Sequence, residues 1–160
     1  MNYQSKKSYT IDEAKSVLEN YCAYQERCHK EVRQKLIELK MIPEARDLII
    51  SHLINGNYLN ESRFSKIFVR SKFNQKKWGK RRLINELKFR NISVYNIDLA
   101  LKEISNVEYL KTFNEISENR FEQLRSESNS KKKMKKFIDY LNYRGWEINM
   151  IYEKKNELFN

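Results

Sequence analysis

The chain has 160 residues, with 32 Lys plus Arg against 21 Asp plus Glu and a net charge of +11. Three glycines and a single proline, Pro43, leave too few turn residues for a sandwich, a barrel or a disulfide scaffold, while 40% hydrophobic content excludes an intrinsically disordered chain. An all-α domain of ordinary size is expected, and the excess positive charge calls for a polyanion, an acidic protein or a membrane surface as partner.

Helical periodicity starts at Ile11, Ala14, Val17, Leu18 and Tyr21, preceded by Thr10 and Glu13 in the spacing of a capping box. A second helix carries Val32, Leu36 and Leu39, and a third carries Ile50 and Leu53. The order then repeats: Phe64, Ile67 and Phe68; Leu83, Ile84 and Leu87; Val94, Ile97, Leu101 and Ile104. It repeats again with Leu110, Phe113 and Ile116 behind a second capping pair, Ser105 and Glu108; then Met134, Phe137, Ile138 and Leu141; then Ile148 and Ile151.

Setting Leu36 on Leu87 and Leu141 also sets Val32 on Leu83 and Phe137, and Met41 on Ile92 and Trp146, with shifts of 51 and 54 residues. Such a period predicts nine helices in three three-helix repeats, over residues 10–57, 58–104 and 105–158. One three-helix unit buries its apolar stripe poorly by itself, so the repeats are expected to stack into an elongated, curved array. The alternative is a compact helical bundle. Phe64, Phe68, Phe137 and Trp146 lie on apolar stripes and read as core, and Gly56 and Gly145 occupy positions suited to a left-handed helix end.

Charge is distributed unevenly. Residues 1–62 are neutral, whereas in residues 63–90 eleven cations accompany only one acid, Glu86, for a net charge of +10. A second basic run is Lys131, Lys132, Lys133, Lys135 and Lys136. Charges packed this densely repel one another, so a phosphate backbone or acidic surface that neutralises them is the favoured reading.

Signals for chemistry are weak. Gly56, Gly79 and Gly145 are too scattered for a phosphate-binding loop, and Cys22, Cys28 and His29 fit no common zinc spacing. Asp12 with Glu13 and Asn60 with Glu61 sit at expected helix starts, where acids complement the helix dipole. No catalytic residue, metal or cofactor is expected. Two cysteines, a polar beginning and the lack of a long apolar run suggest a cytoplasmic protein.

The segment from Asn55 to Ser93 resembles the signature of RecX, a bacterial regulator of the RecA recombinase. Gly56, Tyr58, Leu59, Arg63, Phe64, Val69, Arg70, Lys72, Gly79, Glu86 and Leu87 fill the family's positions. The resemblance extends more weakly over residues 10–158 through KEVRQKL and YLNYRGW. Departures include Asn60 for an acid, Ser65 for an alanine, and Lys40 and Asn91 where helix-ending glycines are usual. Lysine is poorly suited to left-handed geometry, so the first repeat is expected to end differently.

This resemblance implies helical repeats and a non-enzymatic modulator that binds in the groove of the RecA filament on single-stranded DNA. It also implies suppression of the filament's ATPase, extension and strand exchange. Its contact residues would come from Arg70, Lys72, Lys76, Lys77, Lys80, Arg81, Arg82, Lys88, Lys131, Lys132, Lys133, Lys135 and Lys136. Arg63 and Phe64 would mainly fix the second repeat, and the protein would act as a monomer. A sequence-independent DNA-binding protein and a scaffold for another acidic protein are the alternatives.

Overall fold

The computed structural model describes residues 7–160, and among these there are nine helices and no strand. They are α1 (Ile11–Tyr24), α2 (His29–Glu38), α3 (Pro43–Asn55), α4 (Glu61–Lys76), α5 (Lys80–Phe89), α6 (Val94–Leu101), α7 (Asn106–Gln123), α8 (Ser130–Tyr143) and α9 (Ile148–Leu158). All nine expected helices are present, and none is long and apolar enough to cross a membrane.

Local chemistry sets most of the starts. At α1, Thr10 Oγ1 accepts from the Glu13 amide at 3.1 Å while the Glu13 carboxylate accepts from the Thr10 amide, closing the expected box. Ser105 accepts from the Glu108 amide at 3.1 Å to cap α7, and Asn60 Oδ1 accepts from the Arg63 amide at 2.9 Å to cap α4. Pro43 opens α3 at a position where its missing N–H costs nothing.

Helix ends expose the repeat most clearly. Lys40, Asn91 and Gly145, equivalent under the shifts of 51 and 54, all have positive φ, at 60°, 60° and 83°. In the first and third repeats the same pair of bonds closes the helix. Lys40 N–H donates to Ile37 C=O and Met41 N–H to Leu36 C=O; Gly145 N–H donates to Asn142 C=O and Trp146 N–H to Leu141 C=O. This is the Schellman arrangement, with the apolar residue after the turn folded back on the last turn of the helix.

Two expectations are corrected here. Lys40 takes the left-handed geometry despite its side chain, because docking Met41 over Leu36 requires the turn. Gly56 has an ordinary φ of −82°, and the left-handed residue after α3 is Asn57, at 61°.

The chain divides into two compact units, residues 1–64 with 90–92, and residues 65–89 with 93–160. In the first, α1 packs on α2 and α3, and α2 on α3. The core holds Ala14, Leu18, Cys22, Val32, Leu36, Ile49, Ile50, Leu53 and Leu59. Glu19 and His52 tie α1 to α3 at 2.6 Å. Arg63 Nε donates to Glu26 at 2.7 Å, and its Nη atoms donate to the Asn57 side chain and the Asn57 and Tyr58 carbonyls. Arg63 therefore clasps the first unit, not the second repeat to which the sequence assigned it, because its carboxylate partner, Glu26, lies in the loop between α1 and α2.

In the second unit, Phe73, Tyr109, Phe113 and Trp146 form one aromatic cluster, with centroids 4.5–6.4 Å apart. A neighbouring cluster joins Phe137 and Phe121 to Phe159. Phe64, Phe68, Phe137 and Trp146 are all buried, as their positions on apolar stripes indicated.

Two stripes differ from expectation. Helix α7 buries Tyr109, Thr112, Phe113 and Ser117 and exposes Leu110. Ser117 tolerates burial because its hydroxyl donates to the Asn114 carbonyl at 3.1 Å. In α4, Ser65 and Val69 are buried and Ile67 is exposed.

Candidate nucleic-acid interface

The basic residues singled out from the sequence belong to the second unit, and the structure uses them in different ways. Arg70 Nη1 donates to Glu108 Oε1 at 2.7 Å, joining α4 to α7. Lys80 extends its ammonium over the Tyr109 ring at 4.6 Å, while its amide donates to the Tyr109 hydroxyl at 2.9 Å. That hydroxyl donates in turn to Glu147 at 2.6 Å. Burial, reinforced by this bond to a carboxylate, pushes the Tyr109 phenol well above its ordinary pKa.

The start of α5 is joined to the end of α8. Gly79 N–H donates to Arg144 C=O at 2.8 Å and Arg81 N–H to Gly145 C=O at 3.0 Å. Orphan amides at a helix N-terminus thus meet orphan carbonyls at a helix C-terminus, so each end satisfies the other and their dipoles align favourably. Arg81 Nη1 adds bonds to Asn142 Oδ1 and Trp146 C=O, and Arg82 Nη1 one to Tyr143 C=O. The Trp146 indole N–H closes the joint by donating to Lys77 C=O at 3.0 Å.

Arg81 and Arg82 are consequently structural tethers. Reversing the charges of Arg81 and Arg82 would therefore disturb the fold as well as any interface, because both side chains hold α5 to α8. Sequence could not signal this: their acceptors, two backbone carbonyls and the Asn142 side chain, are 61–65 residues away.

Other cations stand outside this joint. Lys76, Lys77, Lys88, Lys131 and Lys132 are exposed and make no ion pair among the described residues. Lys72 is half-buried, with its ammonium 5.8 Å from the Phe68 centroid and 5.5 Å from that of Trp78. Lys133 lies over Phe121 and Phe159, Lys135 pairs with Asp139, and Lys136 pairs with Glu127 at 2.9 Å. The Lys136 bond, with one from the Asn129 amide, holds the Glu127 carboxyl below the ordinary range.

The two basic regions are not one continuous patch. Lys131 and Tyr143 stand twelve residues apart on α8, or about 18 Å at 1.5 Å per residue, so the Lys131–Lys133 turn and the α5 joint occupy opposite ends of that helix. The first turn of α8 carries three lysines and no acid. Cations there oppose the helix dipole at about 0.3–1 kcal/mol each when exposed. The Asn129 side chain accepts from the Lys132 amide at 3.0 Å and caps the helix, but brings no negative charge. An anion would relieve the repulsion.

Nine helices in repeating triplets, with exposed cations on the second unit, define an all-α helical-repeat protein with a polyanion-compatible surface. Residues 60–101 match the sequence profile described as RecX, second three-helix domain. The regulatory protein RecX of Finegoldia magna is 33% identical over 92 residues, covering 58% of this chain and 45% of that protein. In fold, the chain is similar to a crystal structure of regulatory protein RecX, with a TM-score of 0.79 at 20% identity over 92% of this chain and 73% of that one. A crystal structure of RecX from Lactobacillus salivarius gives a TM-score of 0.77 at 23% identity, over 92% and 96%. Residues 60–101 thus match the second RecX domain, and beyond them the chain is similar to RecX proteins in sequence and in fold. It spans about half the length of the curated relatives it matches.

Proposed function

We propose that this protein is a non-enzymatic negative modulator of RecA that binds in the groove of the RecA–single-stranded DNA filament and restrains its ATPase, extension and strand exchange. The observation that carries the reading is the RecX second-domain match over residues 60–101, a segment that also contains most of the excess positive charge. Exposed Lys76, Lys77, Lys88, Lys131 and Lys132 meet acidic recombinase surface or filament phosphate, and Arg70, Lys80, Arg81 and Arg82 fix the helices that present them. Neutralising several phosphates with lysines releases counterions, so binding weakens as salt rises.

The test is the single-strand-dependent ATPase rate of the cognate RecA as this protein is titrated in, beside binding to the same DNA alone. Inhibition well below one molecule per recombinase subunit, without matching coverage of bare DNA, is the expected result. Strong binding to bare DNA with an undiminished ATPase rate would overturn it in favour of a sequence-independent DNA-binding protein.

A further inference from the structure

We infer that Tyr143, with Arg82 and Trp78 behind it, forms a base-stacking site for single-stranded DNA. The Arg82 guanidinium lies 4.2 Å from the Trp78 centroid and 4.6 Å from that of Tyr143, so the three groups form a cation-centred stack at the α5–α8 joint. Tyr143 is 71% exposed, although the backbone carbonyl of the same residue is fixed by Arg82 at 3.1 Å. A large aromatic ring held by its own main chain and left open to water contributes nothing to the core, and its free face suits another flat π-system.

The surroundings select the ligand. Lys76 and Lys77 immediately precede Trp78, and the Lys72 ammonium is 5.5 Å from the Trp78 centroid. Glu86, an acid beside this group, stands 3.9 Å from Arg82 Nε. Cations beside an exposed aromatic ring are the elements of single-strand recognition: the ring stacks a base and lysines follow the phosphates. Duplex DNA keeps its bases paired and stacked inside, so an unpaired strand is favoured. Neither ring stood out in the sequence, where Trp78 falls between two helices and Tyr143 off the apolar stripe of α8.

This site deepens the filament reading and rests on it for its biological setting, but its test does not require RecA. Binding of the full chain is measured by fluorescence anisotropy on a thymidine 12-mer and on an abasic 12-mer with the same phosphates. Wild type should prefer the thymidine strand about tenfold. Tyr143→Ala should bind both strands equally with its salt dependence unchanged, and Tyr143→Phe should restore the preference. Equal wild-type affinity for the two strands, or a preference that survives Tyr143→Ala, would overturn the stacking site. If RecA inhibition persists under either of those outcomes, the filament reading stands without it.

Discussion

Gly145 lies directly against the backbone of Arg82: a β-carbon on Gly145 would stand 2.3 Å from both the Arg82 amide nitrogen and its Cβ. Across the same joint, a β-carbon on Gly79 would meet the Gly145 carbonyl oxygen at 2.6 Å. Two of the chain's three glycines therefore serve one close approach, between the start of α5 and the end of α8. Gly145→Ala adds a backbone clash to a residue whose φ is +83°. It should lower stability by at least about 3 kcal/mol, read by urea unfolding. A loss below 1 kcal/mol would show that the joint yields easily.

Lys40 offers the opposite case. It holds the same left-handed position as Gly145, with φ at 60°, but its side chain is exposed. Lys40→Gly removes the β-carbon strain while making the unfolded chain more flexible. The balance should favour the folded state by about 0.5–1 kcal/mol, visible as a rise of about 2–3 °C in the thermal midpoint. A lower midpoint would mean that the lysine side chain stabilises this turn.

Stability and binding should separate between the two basic regions. Lys131→Glu with Lys132→Glu replaces unfavourable first-turn cations by favourable acids, so the thermal midpoint should hold or rise while affinity for filament or single strands falls and its salt slope shrinks. Arg82→Ala removes a bond to Tyr143 C=O and the contacts with two rings. It should cost about 1–3 kcal/mol of stability. Retained affinity and salt slope in the double lysine variant would remove the start of α8 from the interface.

Cys22 makes the fold sensitive to alkali. Burial pushes its thiol from an ordinary value of 9.0 up to about 11. Between these values the unfolded chain releases a proton that the folded chain keeps, so stability is intact below pH 9 and falls as pH approaches 11. The loss is on the order of 2 kcal/mol by pH 11. Denaturant midpoints from pH 8 to 11 should fall less steeply for Cys22→Ala than for wild type. Parallel curves would show that Cys22 does not carry this dependence.

Local and tertiary information divide cleanly in this chain. The all-helical class, the nine segments and the matching positions of Leu36, Leu87 and Leu141 were legible in the sequence, because helical periodicity, capping residues and the scarcity of glycine act within one or two turns. So was the concentration of charge in residues 63–90. The structure alone decided that the helix ends at Lys40, Asn91 and Gly145 share one geometry, since a lysine, an asparagine and a glycine have different intrinsic preferences and the docking of the next apolar residue overrides them. It alone separated tethering Arg81 and Arg82 from exposed Lys131 and Lys132. A cation's role depends on which carbonyl, ring or carboxylate the fold brings beside it, and for Arg82 those groups include Trp78, four residues away, and Tyr143, 61 residues away.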